Sequence, residues 1–284
     1  MIPSTVSVFV GIQALNELSN RPYWNVINSY SESDPASSRR LIEALQELNG
    51  ANRSLANIDV STADLSKIEL RDANLRFSNL QSVNLWAANL QDADLSGANL
   101  QDASLQHANL NNANFHRANL RAVSLSSANL EKAYFVRADL SEASLAYSDL
   151  RAAAFGGAYF ENAYLNNANL TGVNLDNARL CFANLERASL VQASLRKAHF
   201  INANLTNADL KSADLLDADF QGANLKYADL RGARGLTVEQ IQASQNWQHA
   251  IYDDIFHQKL VEKPHSTSEF SDRDVSAICR HPSQ

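Results

Sequence analysis

The sequence predicts an all-β solenoid with a filled interior, and two observations carry that expectation. From Leu55 to Leu230 every fifth residue is Leu or Phe, with Val60 the one exception in 36 consecutive positions, and two residues earlier the chain nearly always has Ala. A period of five fits neither the repeat of about 3.6 residues in a helix nor the alternation of a strand, so the coil itself must turn in steps of five. The second observation is aromatic: Phe115, Phe135 and Phe155 are spaced by twenty, as are Phe200 and Phe220, with Phe160 on the grid of the latter pair. Bulky rings in a tight core are best tolerated when they stack, so twenty residues, or four units, should complete one coil of square cross-section. About nine such coils, at roughly 4.8 Å per backbone-paired layer, give a rod on the order of 40 Å tall.

Within a unit such as Ala98-Asn99-Leu100-Gln101-Asp102, only the Ala and Leu positions stay small or apolar along the chain, so they point inward and the other three face water. Asn, Asp and Ser dominate the site before the central Leu, where a short polar side chain can bond nearby backbone at a tight corner. Ser78, Val83, Val123, Ser148 and Val173 replace the small Ala, and Ile58 and Ile68 fall near the first coils, where an irregular end can absorb bulk. Runs such as Ala88-Asn89-Leu90-Gln91-Asp92 and Ala208-Asp209-Leu210-Lys211-Ser212 resemble the signature of the pentapeptide repeat family. The resemblance implies a right-handed quadrilateral β-helix with inward Leu/Phe and Ala columns, and a fold without a typical enzyme activity.

Three segments follow: a non-repetitive region 1–50, the repeat 51–235, and a second non-repetitive region 236–284. All five prolines (Pro3, Pro22, Pro35, Pro264, Pro282) lie outside the repeat, whose coils need their N–H groups for pairing. Such a rod leaves apolar surface and unpaired backbone at its two ends, so the flanks are expected to cap it. Ser37 to Leu48 reads as a helix with Leu41, Ile42, Leu45 and Leu48 in one stripe, stopped by Asn49-Gly50, and Tyr23 to Asn28 as a short helical turn before it. Thr237-Val238-Glu239-Gln240 has the form of a capping box, and Val238, Ile241, Trp247, Ile251 and Ile255 are spaced to share the face of a C-terminal capping helix. Thr237 to Leu260 is also similar to a tail common in cyanobacterial pentapeptide repeat proteins. Trp24 to Asn28, with Arg40 and Ala44 to Asn49, resembles the lead-in of cyanobacterial members that often carry a membrane anchor upstream, which is not expected here. Beyond Pro264 the chain is Ser-, Asp- and His-rich and is expected to be disordered.

Hydrophobic residues make up 45% of the chain, yet no stretch approaches the roughly 18 apolar residues that span a bilayer. Met1 to Ile12 lacks a basic start, so no signal peptide is expected and the cytoplasm is the expected location. Cys181 falls at a solvent-facing repeat position and Cys279 in the tail; their separation suggests neither a disulfide framework nor a metal site. His107, His116 and His199 never approach ligand spacing, and His249 and His257, flanking Asp253 and Asp254, read as polar positions on the capping helix. A filled rod offers no pocket for a nucleophile and base, so no enzyme activity, cofactor or metal is expected.

Two function classes remain. One is a non-catalytic protein-interaction scaffold or regulator. The alternative rests on resemblance to family members that act as DNA-like rods binding DNA gyrase, and Asp209, Asp214, Asp217, Asp219 and Asp229 suggest a negative band near the last coils. Residues 51–235 nevertheless hold 19 acidic and 17 basic side chains, a net of −2. Duplex DNA carries about one negative charge per 1.7 Å. For a protein partner the candidate surface is Tyr134, Tyr159, Tyr164, Arg179 and His199. The three tyrosines take the corner site usually held by Asn or Asp, and the twenty-residue grid stacks Tyr159, Arg179 and His199 outward with Asp219 next. Tyr and Arg are the residue types of interface hot spots. Phe77, Trp86, Tyr147, Phe182 and Tyr227 scatter over several faces. The expected partner is another protein, with no direct nucleic acid binding, no membrane span, and a monomeric chain.

Overall fold

In a repeat unit with Asn or Asp before the central Leu, each of the five backbone donors has its own acceptor, and this accounting fixes the coil. The computed structural model describes residues 21–31, 36–263 and 278–279. In the unit beginning at Ala88, the Ala88 N–H donates to Leu85 O at 3.0 Å and closes the corner, while Asn89 donates back to Ile68 O at 2.9 Å. Leu90 and Asp92 donate forward to Asn109 O and Asn111 O, at 2.8 and 2.9 Å. The fifth donor, Gln91 N–H, is taken by the side-chain oxygen of Asn89 at 3.3 Å, which is why Asn and Asp favour the site before the central Leu.

Pairing runs from each such residue to the one twenty positions on, from Asp59 with Asn79 to Asp214 with Arg234, always parallel. The result is a solenoid. Each rung is a single-residue bridge, so the ladders run along the rod with no continuous strand among the described residues. Amide side chains add a second ladder outside the first: Asn99 donates to Asn79 Oδ1 at 3.2 Å and Asn119 to Asn99 Oδ1 at 2.9 Å. Two residues past each central Leu the backbone turns left-handed, with Lys67, Phe77, Arg117 and Tyr147 among the many non-glycine residues there at φ of 61, 56, 55 and 59°. That conformation costs roughly 1–2 kcal/mol per residue. It is held because it aims the residue's N–H at the next coil, as Asp92 shows.

Both inward columns are buried from Leu55 to Leu230, with Ala233 partly buried at the end. Phe115 stacks on Phe135 and Phe135 on Phe155 with centroids 4.6 Å apart, and Phe200 on Phe220 at 5.2 Å, so rings twenty residues apart share a column. Ser78 and Ser148 fit the Ala column because their hydroxyls donate to Leu75 O and Leu145 O at 2.5 and 2.6 Å, leaving no polar atom unsatisfied.

At the N-terminal end, α1 is helical over described residues 21–28 and α2 spans Ser37–Gly50. Leu41, Ala44, Leu45 and Leu48 are buried and join the solenoid core with Ile27, while Ile42, Tyr23 and Trp24 pack at its margin. The helix runs two residues past Leu48, and the left-handed turn falls on Asn52 rather than on Asn49-Gly50.

The other end departs from the single helix expected over Val238 to Ile255. Beyond Gly235, where φ is +76° and an added Cβ would meet Leu216 backbone atoms at 2.7 Å, the chain forms α3 (Val238–Gln242), a 3-10 turn (Trp247–His249) and α4 (Asp254–Glu262). The Thr237 capping box is present, with Thr237 N–H donating to Gln240 Oε1 at 2.7 Å and Gln240 N–H to Thr237 Oγ1 at 3.2 Å. Gln245 and Ile251 then bridge to Asn224 and Asp229 as if continuing the coil. One continuous helix would have satisfied its own backbone and left the last ladder open; the broken segment supplies acceptors to it. The side chains buried there are Val238, Ile241, Tyr252 and Leu260, whereas Ile251 and Ile255 are exposed.

Among the described residues no helix is long and apolar enough to cross a membrane. Met1 to Ile12 lies outside the described residues, as does the segment beyond Pro264 apart from Ile278 and Cys279.

Candidate functional site

The five residues singled out from the sequence do not form one patch. Tyr159, Arg179 and His199 share a column, each bridged to the next and His199 to Asp219. Tyr134 and Tyr164 belong to two other columns, bridged to Asn114 and Ala154 and to Ser144 and Asn184. Because a side of the coil is only five residues long, tyrosines 25 and 5 positions from Tyr159 must fall on other sides. Tyr134 and Tyr164 are exposed, while Tyr159, Arg179 and His199 are half-buried. The Arg179 guanidinium lies 5.3 Å from the Tyr159 ring centroid and 4.0 Å from a Glu161 carboxylate oxygen. His199 Nδ1 lies 3.9 Å from Asp219 Oδ2.

The column breaks the local rule of the fold. At Asp139 and Asp219, on the same side, the carboxylate accepts the N–H two residues on, from Ser141 and Gln221, both at 3.0 Å. Tyr159, Arg179 and His199 carry no amide or carboxylate oxygen at that place, so the Asn/Asp-to-backbone bond, worth about 0.5–1.5 kcal/mol, is lost on three consecutive coils, and on the first of them the Glu161 carboxylate bonds its own backbone N–H instead. Departures of this kind from local consistency concentrate where a surface has another role.

Beside this column runs a stripe that sequence reasoning missed. The residues just after the central Leu are normally part-exposed corners, but Ser141, Glu161, Cys181 and Ile201 are buried on four consecutive coils of this one side. Cys181 is fully buried and bonded to Cys279, with Cα atoms 5.8 Å apart across 98 residues. The sequence expectation of a solvent-facing Cys181 without a disulfide is therefore corrected. Distance along a chain does not limit distance in space: the two residues are 98 apart in sequence and adjacent in the fold. A signal was available: Cys181 and Ile201 are apolar residues at outward positions twenty apart, with a second cysteine in the tail. In the chain-entropy picture, closing a loop of this length is worth on the order of 4.7 kcal/mol.

Glu161 is the buried charge of the stripe. Burial holds its carboxyl above the ordinary value of 4.5, opposed by backbone bonding, a hydrogen bond from Ser141 Oγ at 3.2 Å and the Arg179 charge. A raised carboxyl binds its proton more tightly in the folded state, so stability is lost as pH rises from about 4.5 through the folded pKa. Glu161→Gln is expected to remove that slope and melt higher than the parent chain at pH 7. Thermal melts from pH 4.5 to 8 check this, and parallel curves for the two chains would refute it. Asp149 and Asp229, held low chiefly by the Arg151 and Arg231 side chains, act oppositely and only at more acid pH.

The acidic residues near the last coils are largely paired. Asp214 meets Arg196 at 2.7 Å, Asp209 meets Lys211 at 2.9 Å, and Asp229 meets Arg231 at 2.6 Å. They make a mixed surface in place of the continuous negative band. His249 sits in the 3-10 turn and His257 in α4, and among the described residues no group of three or more His, Cys, Asp or Glu is placed to hold a metal ion.

A family model for pentapeptide repeats matches eight copies between residues 54 and 234. The chain belongs to the pentapeptide repeat family. Among solved pentapeptide repeat structures it is similar to HetL from the cyanobacterium Nostoc sp. strain PCC 7120, involved in heterocyst differentiation regulation. The two are 28% identical over 74% of this chain and 93% of HetL, with a TM-score of 0.50. Rfr23 from the cyanobacterium Cyanothece 51142 is 31% identical over 42% of this chain and 64% of its own, with a TM-score of 0.24. QnrB1, a plasmid-mediated fluoroquinolone resistance protein, is 18% identical over 72% of this chain and 95% of its own, with a TM-score of 0.33. No curated protein matches the chain.

Proposed function

We propose that this pentapeptide repeat protein is a non-catalytic protein-interaction scaffold or regulator whose partner face is the side bearing Tyr159, Arg179 and His199. The observation that carries the reading is the loss, at these three consecutive coils, of the Asn/Asp-to-backbone bond that the rest of the side keeps. Family membership and the regulatory involvement of HetL support the class of function. The rod is taken as a right-handed quadrilateral β-helix of about nine coils, at roughly 4.8 Å per layer, with regions 1–50 and 236–284 closing its ends and keeping it monomeric. Paired charge around Asp209, Asp214 and Asp229 weighs against the alternative of a DNA-mimicking rod directed at gyrase or another topoisomerase. A cytoplasmic location belongs to the same reading, with the disulfide then a bond formed and broken by local redox conditions rather than a permanent staple.

The test restores the local rule. Tyr159→Asn, Arg179→Asn and His199→Asn together are expected to leave the rod folded, because Asn already occupies this column at Asn79, Asn99 and Asn119. The triple variant is expected to lose the protein that the parent chain retains in a pull-down from the native host under reducing conditions. Equal retention of that protein by the two chains would overturn the assignment of the face.

A further inference from the structure

The two ends of the solenoid are closed differently. At the C-terminal end Gln245, Ile251 and their neighbours take up the donors of the last coil, whereas at the N-terminal end α2 covers the apolar layer and leaves much of the backbone edge open. In later coils the residue before the central Leu donates its N–H to the coil before and accepts from the central residue of that coil, as Asn79 does with Ile58 O at 2.8 Å and Val60 N–H at 3.1 Å. Asp59, Asp64 and Glu69 hold that place in the first coil, which has no coil before it. Neither the N–H nor the C=O of any of the three has a partner among the described residues, and all three are exposed. Asn49 caps a nearby acceptor, its Nδ2 donating to Arg71 O at 2.8 Å.

One side of this edge faces a cavity. A space of about 650 Å³ lies between Trp24, Ile27 and Tyr30 and the side 58–62. Val60, the single departure from Leu or Phe, and Ile58, in the place of Ala, both line it, with Asp59 between them. Side chains alternate along an extended segment, so a strand laid on this side would turn one set toward Ile27 and Val60 and stack the other over Asp59.

Charge selects among the strands that could lie there. The outward amide ladder ends in carboxylates: Asn79 donates to Asp59 at 3.0 Å, Asn84 to Asp64 at 2.8 Å and Asn89 to Glu69 at 2.7 Å. The Ser61 N–H and then the Asn79 amide hold the Asp59 carboxyl below its ordinary value, so it is charged at neutral pH. The nearby cations are engaged elsewhere, Arg71 with Asp72 and Asp92 at 3.6 and 3.3 Å and Lys67 over the Trp86 ring. A second copy would set this acidic edge against its like, which opposes pairing. Residues 1–20 contain no Lys or Arg. The complement of the edge is therefore a strand that brings positive charge from another protein.

We propose that the side 58–62 is a docking edge for an extended basic segment of a partner protein, which pairs with the Asp59 N–H and C=O, lays apolar side chains against Trp24, Ile27 and Val60, and sets Lys or Arg beside Asp59. This edge lies five coils from Tyr159 along the rod and does not depend on the partner face proposed above.

The full-length chain is titrated by calorimetry with an acetylated, amidated peptide of alternating valine and lysine, and exchange of the Asp59 amide proton is followed by NMR. That amide is expected to exchange freely in the chain alone and to slow at least about tenfold with saturating peptide. N-methylation of the peptide at its edge-facing residues should weaken binding at least about tenfold, since its backbone donors are lost. Asp59→Asn with Asp64→Asn should weaken it about fivefold, as for exposed ion pairs; Asn at Asn79 and Asn84 shows that the coil accepts the change. An Asp59 amide already slow in the free chain would show the edge to be occupied by the chain itself and overturn the proposal. Equal binding of the N-methylated peptide, of a glutamate-for-lysine peptide, or by the double variant would overturn it too. The triple Asn variant is expected to bind the peptide as the parent does; loss there would move the peptide to the Tyr159 column and remove the edge site.

Discussion

Leu105→Asp is expected to cost the protein at least about 3–5 kcal/mol, the range for emptying a buried Leu site, before the added polar penalty is counted. Leu105 has no exposed surface and lies in a column with Leu85 and Leu125, so no rotation can bring a carboxylate to water. Either the group stays neutral against an apolar lattice with its oxygens unbonded, or the coil opens. A domain is stable by about 5–15 kcal/mol, so the substitution removes a large share of that margin. In a quasi-one-dimensional rod it also severs the stack, since coils on either side communicate only through their neighbours. Gln106→Asp, one residue along and facing outward, is expected to change stability by no more than about 0.5 kcal/mol. Urea unfolding of the two variants checks the contrast; equal losses would remove the inward and outward assignment on which the fold rests.

Deleting residues 237–284 is expected to turn a monodisperse rod into one that self-associates through its C-terminal end. The segment accepts backbone N–H donors from the last coils: Gly222 by Ala243 O, Leu225 by Gln245 O, Tyr227 by His249 O, Leu230 by Ile251 O and Gly232 by the Asp253 carboxylate, at 2.7 to 3.2 Å. Gln240 also donates to Ala218 O at 2.9 Å. Removing it leaves an open ladder over the Leu225 and Leu230 layer, which a second rod can pair with and cover. Truncation after Lys263 keeps all of these acceptors and is expected to stay monomeric. Both truncations carry Cys181→Ser, so that a bare thiol does not link chains. Light scattering at several concentrations decides, and equal monodispersity would show that α3 and α4 do not protect the edge.

The five-residue register, the inward Leu and Ala columns and the stacked Phe rings were legible from sequence because each is a periodic demand of one repeated environment. A residue that must pack against its own copy one coil away leaves a mark at a fixed spacing. The Asn and Asp preference before each Leu was legible for the same reason, and so was its interruption at Tyr159, Arg179 and His199. The left-handed corners were not legible, because the conformation is enforced by coil-to-coil hydrogen bonds and is met by Lys67, Phe77 and Tyr147 alike. A requirement imposed on the backbone leaves little trace in side-chain identity.

The non-repetitive ends show the other boundary of what a sequence states. Val238, Ile241, Trp247, Ile251 and Ile255 have helical spacing, yet the chain breaks there, since the unpaired edge of the last coil draws Gln245 and Ile251 into bridges. That edge exists only once the rod is built. Cys181 and Cys279 present the same case over 98 residues. Sequence by itself determined the solenoid, its period and the identity of its core, because these follow from contacts that recur every five and every twenty residues. Tertiary structure alone decided how the last coil is closed and that Cys279 is bonded to the rod at Cys181. Those depend on single, unrepeated meetings between distant parts of the chain, and a contact made once writes no pattern.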